Sequence, residues 1–157
     1  MNATFPTGSA ARPYKSKTLA TWIAVLGGSL GLHRLYLHGL RDILGWLHPL
    51  PTALGVIGVQ RMIEFGQDDR LSWVLVPLLG LMIAQGMFCA ILYGLTPDEK
   101  WNARHNPQGP EHRTGWGAVI GVIVALMVGA GVLMATIAYG FQRYFETQIE
   151  EARKISQ

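Results

Sequence analysis

Three histidines, His33, His38 and His48, are the side chains in this sequence best suited to hold a metal or a haem iron. Haem needs two of them facing each other from different helices, and zinc needs three or four converging donors. Their spacing contains no i,i+4 pair, and Cys89 is the only cysteine, so no thiolate cluster completes a site. The expectation is a protein with no metal and no cofactor. Asp68 and Asp69 are adjacent carboxylates, but they sit beside Arg70 just before an apolar run, where helix capping is the expected role. Gln85, Ser29 and the histidines are the only residues from which an intramembrane enzyme could be built, and no catalytic residue is assigned.

Composition points to lipid as the solvent. Of 157 residues, 50% are hydrophobic and 15% charged, and the charged ones gather at the ends and between long apolar runs. A soluble helical domain needs a polar stripe on nearly every helix. The net charge of +3 is spread over termini and loops rather than gathered in one patch, which argues against a nucleic-acid partner. One cysteine excludes an intrachain disulfide, and inside an apolar run Cys89 reads as a small hydrophobe.

These features predict an all-α polytopic bundle. Residues 1–16 read as a disordered polar leader, interrupted by Pro6, Gly8 and Pro13. No cleavage site follows the next apolar stretch, so it reads as a retained helix rather than a signal peptide. A membrane domain over 17–141 holds four expected spans, at about 18–37, 43–63, 71–95 and 116–141, each near the 20 residues a bilayer requires. Pro49 and Pro51 predict a kink or break in the second. Asp69 is placed to cap the third. A polar loop over 96–115 opens Thr96-Pro97-Asp98-Glu99, the order of a capping box with Thr96 as cap, and predicts a short surface helix to about Arg104. Residues 142–157, with Phe145, Ile149 and Ala152 at helical spacing, predict an amphipathic helical tail.

Four spans put both termini on one side. That side would carry Arg12, Lys15, Lys17, Arg61, Arg70, Arg143, Arg153 and Lys154, against Arg34, Arg41, Lys100, Arg104 and Arg113 on the other. The excess of basic residues places the termini in the cytoplasm.

The most specific motif is Gly27-Gly28-Ser29-Leu30-Gly31-Leu32-His33-Arg34-Leu35-Tyr36-Leu37-His38-Gly39. Gly27 and Gly31 form a G-x-x-x-G pair, which lets another backbone approach closely. His33, Arg34 and Tyr36 place polar groups at a helix end, as an interfacial anchor and turn or as a hinge or partner contact. This string resembles the two-transmembrane (TM-two) domain family, whose glycine-rich first helix leads into a His-Arg, aromatic, Tyr, Leu, Gly sequence. The similarity covers about Lys15 to Asp69, with Leu35 standing where the family usually has Phe. The rest of the chain looks like a proteobacterial branch with additional membrane helices, 70–141. The resemblance implies a membrane fold in a bacterial inner membrane and supplies no catalytic residues.

Gly117, Gly121, Ala125 and Gly129 recur every four residues and predict a close-packing seam, against a helix of this chain or of another protein. The opposite face carries Val119, Ile123, Leu126 and Val132. Packing motifs without catalytic or conductive groups predict a non-enzymatic accessory or assembly subunit, in contact with the lipid bilayer and with other membrane proteins or itself. A small oligomeric transporter or channel is the alternative.

Overall fold

The computed structural model describes residues 13–156, and every regular element among them is helical. Most of the expected 1–16 leader lies outside the described residues. The elements are α1 (Lys17–Gly27), α2 (Leu32–His38), α3 (Ile43–Leu47), α4 (Pro49–Phe65), α5 (Arg70–Leu95), α6 (Asp98–His105) and α7 (Trp116–Ile155), with a single 3-10 turn at Gly28–Leu30. Three stretches are long and apolar enough to cross a membrane: Ile43–Phe65, Arg70–Leu95 and Trp116–Ile155. α5 is the central helix, packed against α1, α4 and α7.

The expected continuous helix over 18–37 is not formed. At about 1.5 Å per residue, such a helix would hold Ser16 and Tyr36 roughly 30 Å apart. Instead the Ser16 amide donates to Tyr36 Oη at 2.9 Å, and Lys15 Nζ donates to the Leu37 carbonyl. The chain turns at 28–30 and reverses through Gly31, whose φ of 74° is the left-handed region that a side chain disfavours. α2 therefore runs back along α1 as a helical hairpin. Its turn lies against Gly86, ten residues before Thr96, so it reaches about 15 Å in from that end of α5. That is about half of a hydrocarbon core.

The reversal also moves the chain ends. Lys17 Nζ donates to the Thr96 carbonyl at 2.9 Å, at the C-terminal end of α5, whereas Arg143 reaches Gln67 and stacks over Trp73, at its N-terminal start. Lys15 and Lys17 therefore share an end with Arg34, Lys100 and Arg104, not with Arg61 and Arg143. The expected shared side was built on an unbroken first helix; among the described residues, Lys17 and Arg143 lie at opposite ends of α5.

α3 and α4 are separated by His48 alone, which keeps helical angles (φ −61°, ψ −40°). Pro49 and Pro51 carry no N–H, so the bonds that would reach Gly45 and Leu47 are missing. α4 then packs on α5 through its glycines: a Cβ on Gly55 would fall 2.5 Å from the Leu79 nitrogen, and one on Gly58 2.5 Å from the Leu75 Cβ. Asp69 caps α5, accepting from the Ser72 amide (3.2 Å) and hydroxyl (2.5 Å), and it also takes both donors of Arg61. Those bonds hold its carboxyl far below the ordinary carboxylate value, Arg61 contributing most. α7 is 40 residues, about 60 Å long, twice what a hydrocarbon core needs.

Candidate functional site

The polar side chains of the hairpin, α6 and the following loop converge at one end of the bundle. Lys17, buried, pairs with Asp98 at 2.5 Å. Asp98 also accepts from the Thr114 amide (2.8 Å) and hydroxyl (2.5 Å). With Lys17 as the largest cause and Thr114 next, its carboxyl is held down to about 2. Trp101 Nε1 donates to the Lys15 carbonyl at 2.9 Å, and Asn106 binds the backbone of Lys15 from both its amide oxygen and its amide nitrogen. This clasp fastens the start of α1 to α6.

The clasp changes two capping assignments. Thr96 does not cap α6; its hydroxyl turns back to the Leu92 carbonyl at 2.6 Å, and it ends α5. α6 starts at Asp98 without a side-chain cap, because its N-cap position is Pro97, whose ring carries no acceptor; the Asp98 carboxylate is turned to Lys17 and Thr114.

The three residues of the polar motif take three separate places. His33 is buried at 1% exposure, its ring 5.8 Å from those of His48 and Tyr93, and its Nδ1 has no partner among the described residues. Arg34 binds Asp42 with both donors, at 2.8 and 3.4 Å, tying α2 to the start of α3. Hydrogen bonding to Arg34 lowers the Asp42 carboxyl. Tyr36 closes the hairpin on Ser16. His33 and His48 meet, while His38 stays exposed at the end of α2.

The glycines divide likewise. Gly27 and Gly31 do not form one helical face, since the helix breaks between them: Gly27 lies on Leu32 of its own hairpin and Gly31 on the Gly45 carbonyl and His48. The close backbone approach belongs to Gly28, where a Cβ would sit 2.5 Å from the Gly86 Cα. On α7, Gly117 faces Thr18, Gly121 faces Thr21, Gly129 faces Met87, and Ala125 is fully buried. Each neighbour is on α1 or α5 of the same chain. Val119, Ile123 and Leu126 on the other face are about half exposed, at 45%, 51% and 52%.

Sequence reasoning missed the glycines of α5. Gly94 receives Val122 and Gly80 receives Thr136, both from α7, while Gly86 receives the hairpin. At about 100° per residue, positions 80 and 94 fall within about 40° of each other and 86 faces elsewhere. The spacing of six and eight residues hides this from a search for repeats of four.

Beside the clasp lies a cavity of about 250 Å³ lined by Arg34 and His38 of α2, Tyr93 of α5 and Thr96 just after it, and Lys100, Trp101, Arg104 and His105 of α6. Its field is positive. His105 is lowered from its ordinary value by burial first, then by repulsion from Arg104, Lys15 and His38. Among the described residues, no group of three or more His, Cys, Asp or Glu side chains is placed to hold a metal ion.

The fold and these sites define the class: an all-α bundle whose three long apolar helices suit a membrane. Comparison with protein-family models, with curated proteins and with solved structures returns no match.

Proposed function

We propose that the protein is a non-enzymatic accessory subunit of the bacterial inner membrane, attached to another membrane protein through the part of α7 that projects beyond the bundle. The observation carrying this reading is the tail itself. Beyond Arg143, α7 continues to Ile155 with Tyr144, Phe145, Ile149 and Ile155 more than half exposed. The small-residue stripe is occupied inside the chain, while the tail, touching the bundle through a 4.0 Å ion pair of Glu150 with Arg70, keeps an exposed apolar surface next to its charges. The Gly27 to Gly39 string supports kinship with the TM-two family, and with it a membrane setting.

The topology we infer has three spans, the first interrupted in its hydrogen bonding at Pro49 and Pro51, and a hairpin over 17–38 that enters and leaves on one side. Lys15, Lys17, Arg34, Arg41, Lys100, Arg104 and Arg113 outnumber Arg61, Arg70, Arg143, Arg153 and Lys154 at the opposite end. The excess puts the hairpin side in the cytoplasm and the tail outside. Arg12 lies outside the described residues.

Co-purification after mild detergent extraction tests the assignment, comparing the full chain with one ending at Tyr144. A partner held at fixed stoichiometry by the full chain and lost by the shortened one supports it; a bare monomer in both cases overturns it. One observation favours transport as the second reading. A half-depth hairpin with the unpartnered His33 behind its turn places polar groups where permeation sites are built. Ion flux into liposomes holding the purified protein separates the two.

A further inference from the structure

We propose that the cavity between α2, α5 and α6 binds the phosphate headgroup of an anionic phospholipid taken from the leaflet at that end of the bundle. The proposal rests on the membrane reading above. Three kinds of observation support it: charge, depth and neighbouring surface.

Lys100 and Arg104 are an i,i+4 pair on α6, and both line the cavity together with Arg34. Neither Lys100 nor Arg104 has an ion-pair partner among the described residues. The acid bonded to a lining residue is Asp42, and both of its oxygens are engaged by Arg34. The cavity therefore keeps positive charge that no carboxylate balances, and guanidinium groups match phosphate oxygens with paired donors.

Depth selects a headgroup. The cavity opens at the last turn of α5, where the hydrophobic run gives way to Thr96 and α6 lies across its end. A basic pocket at the edge of the hydrocarbon, between helices, is where a phospholipid phosphate resides. Free phosphate has the same oxygens but no acyl chains. Leu92 and Leu95, in the same last turns of α5, are 50% and 67% exposed and offer those chains a surface.

The full chain is reconstituted into nanodiscs of phosphatidylglycerol mixed with phosphatidylcholine, and the lipid retained on release is read by native mass spectrometry. Wild type should retain phosphatidylglycerol selectively. The Lys100→Gln/Arg104→Gln variant should lose about thirtyfold of that preference, at roughly fivefold per basic residue. Arg153→Gln/Lys154→Gln, at the far end, should retain it. Equal retention of both lipids by wild type, or an unchanged Lys100→Gln/Arg104→Gln variant, overturns the proposal. So does a thermal shift with inorganic phosphate in detergent that phosphatidylglycerol fails to reproduce, since the site would then take free phosphate. Protein that stays with vesicles of both compositions after alkaline carbonate but shows no preference defeats this proposal alone. Protein stripped from both defeats the membrane reading itself.

Discussion

Ser16 and Tyr36, twenty residues apart, are joined by a hydrogen bond of 2.9 Å from the Ser16 amide to the Tyr36 hydroxyl. That bond closes a hairpin that stops halfway along the bundle, and the Lys17–Asp98 pair then holds the start of α1 against the start of α6. The topology proposed above, three spans and one half-depth hairpin, rests on it.

In a Cys89→Ala background, single cysteines introduced as Leu40→Cys, Gln108→Cys and Ser156→Cys report that topology. A membrane-impermeant maleimide should label the first two from one side of oriented vesicles and the third from the other. Labelling of all three from the same side would restore an even number of spans.

Gly28 and Gly86 touch backbone to backbone, so neither has room for a side chain. Gly86→Val should lower stability in detergent by about 2 kcal/mol or more, the cost of overfilling a packed site. Gly131, with nothing within 4 Å, is the control. Gly131→Ala should be neutral or stabilise by up to about 1 kcal/mol through helix propensity. Equal melting temperatures for Gly86→Val and wild type would mean that the hairpin does not seat on α5.

At Gly121 a Cβ would fall 2.9 Å from the Thr21 Cγ2. Gly121→Ile should therefore destabilise the single chain, by roughly 1–3 kcal/mol. The loss should not vary with protein concentration, because the seam is internal. A loss that disappears on dilution into excess detergent would assign the stripe to association between chains.

Lys17 is 7% exposed and Asp98 is its ion-pair partner. Asp98→Asn leaves a buried ammonium without its counter-charge and should cost about 3 kcal/mol. Lys17→Met/Asp98→Leu should recover much of the loss, since an apolar pair replaces a buried ion pair at little cost. A double variant no better than the single one would show that the two residues act independently.

The same pair fixes an acid dependence. Asp98 titrates at about 2 in the folded chain, below its ordinary 3.8. Its contribution is complete above pH 3.8 and is lost as pH falls towards 2. Melting temperature in detergent should drop through that window, and Asp98→Asn should flatten the drop. An identical slope in the variant would assign the acid sensitivity to other carboxylates.

The helical class, the suitability of the long helices for lipid and the ends of α5 were legible in the residues. Long runs without charge exceed what a soluble helix tolerates, and their lengths match a bilayer. Asp69 before Ser72 announces its cap through local hydrogen bonding alone. The clasp was half legible. Asp98 was placed at a helix start, but its use by Lys17 and Thr114 lies across 81 and 16 residues, beyond any local rule.

Span or hairpin was decided only in three dimensions. An apolar stretch of about 20 residues suits one full-depth helix and two half-depth ones equally, because both bury the same side chains in the same solvent. Gly27 and Gly31 at a spacing of four look like one helical face, and in a continuous helix they would be. The choice rests on distant partners: Gly86 makes room for the turn at Gly28, Thr52 donates to the Ser29 carbonyl that the broken helix leaves free at 2.5 Å, and Tyr36 receives Ser16. Backbone groups freed inside an apolar medium must find partners, and Thr52 of α4 supplies one from 23 residues along the chain. The amino-acid sequence by itself determined that the chain is helical and suited to lipid; tertiary contacts decided that 17–38 folds back as a hairpin and which charges share an end.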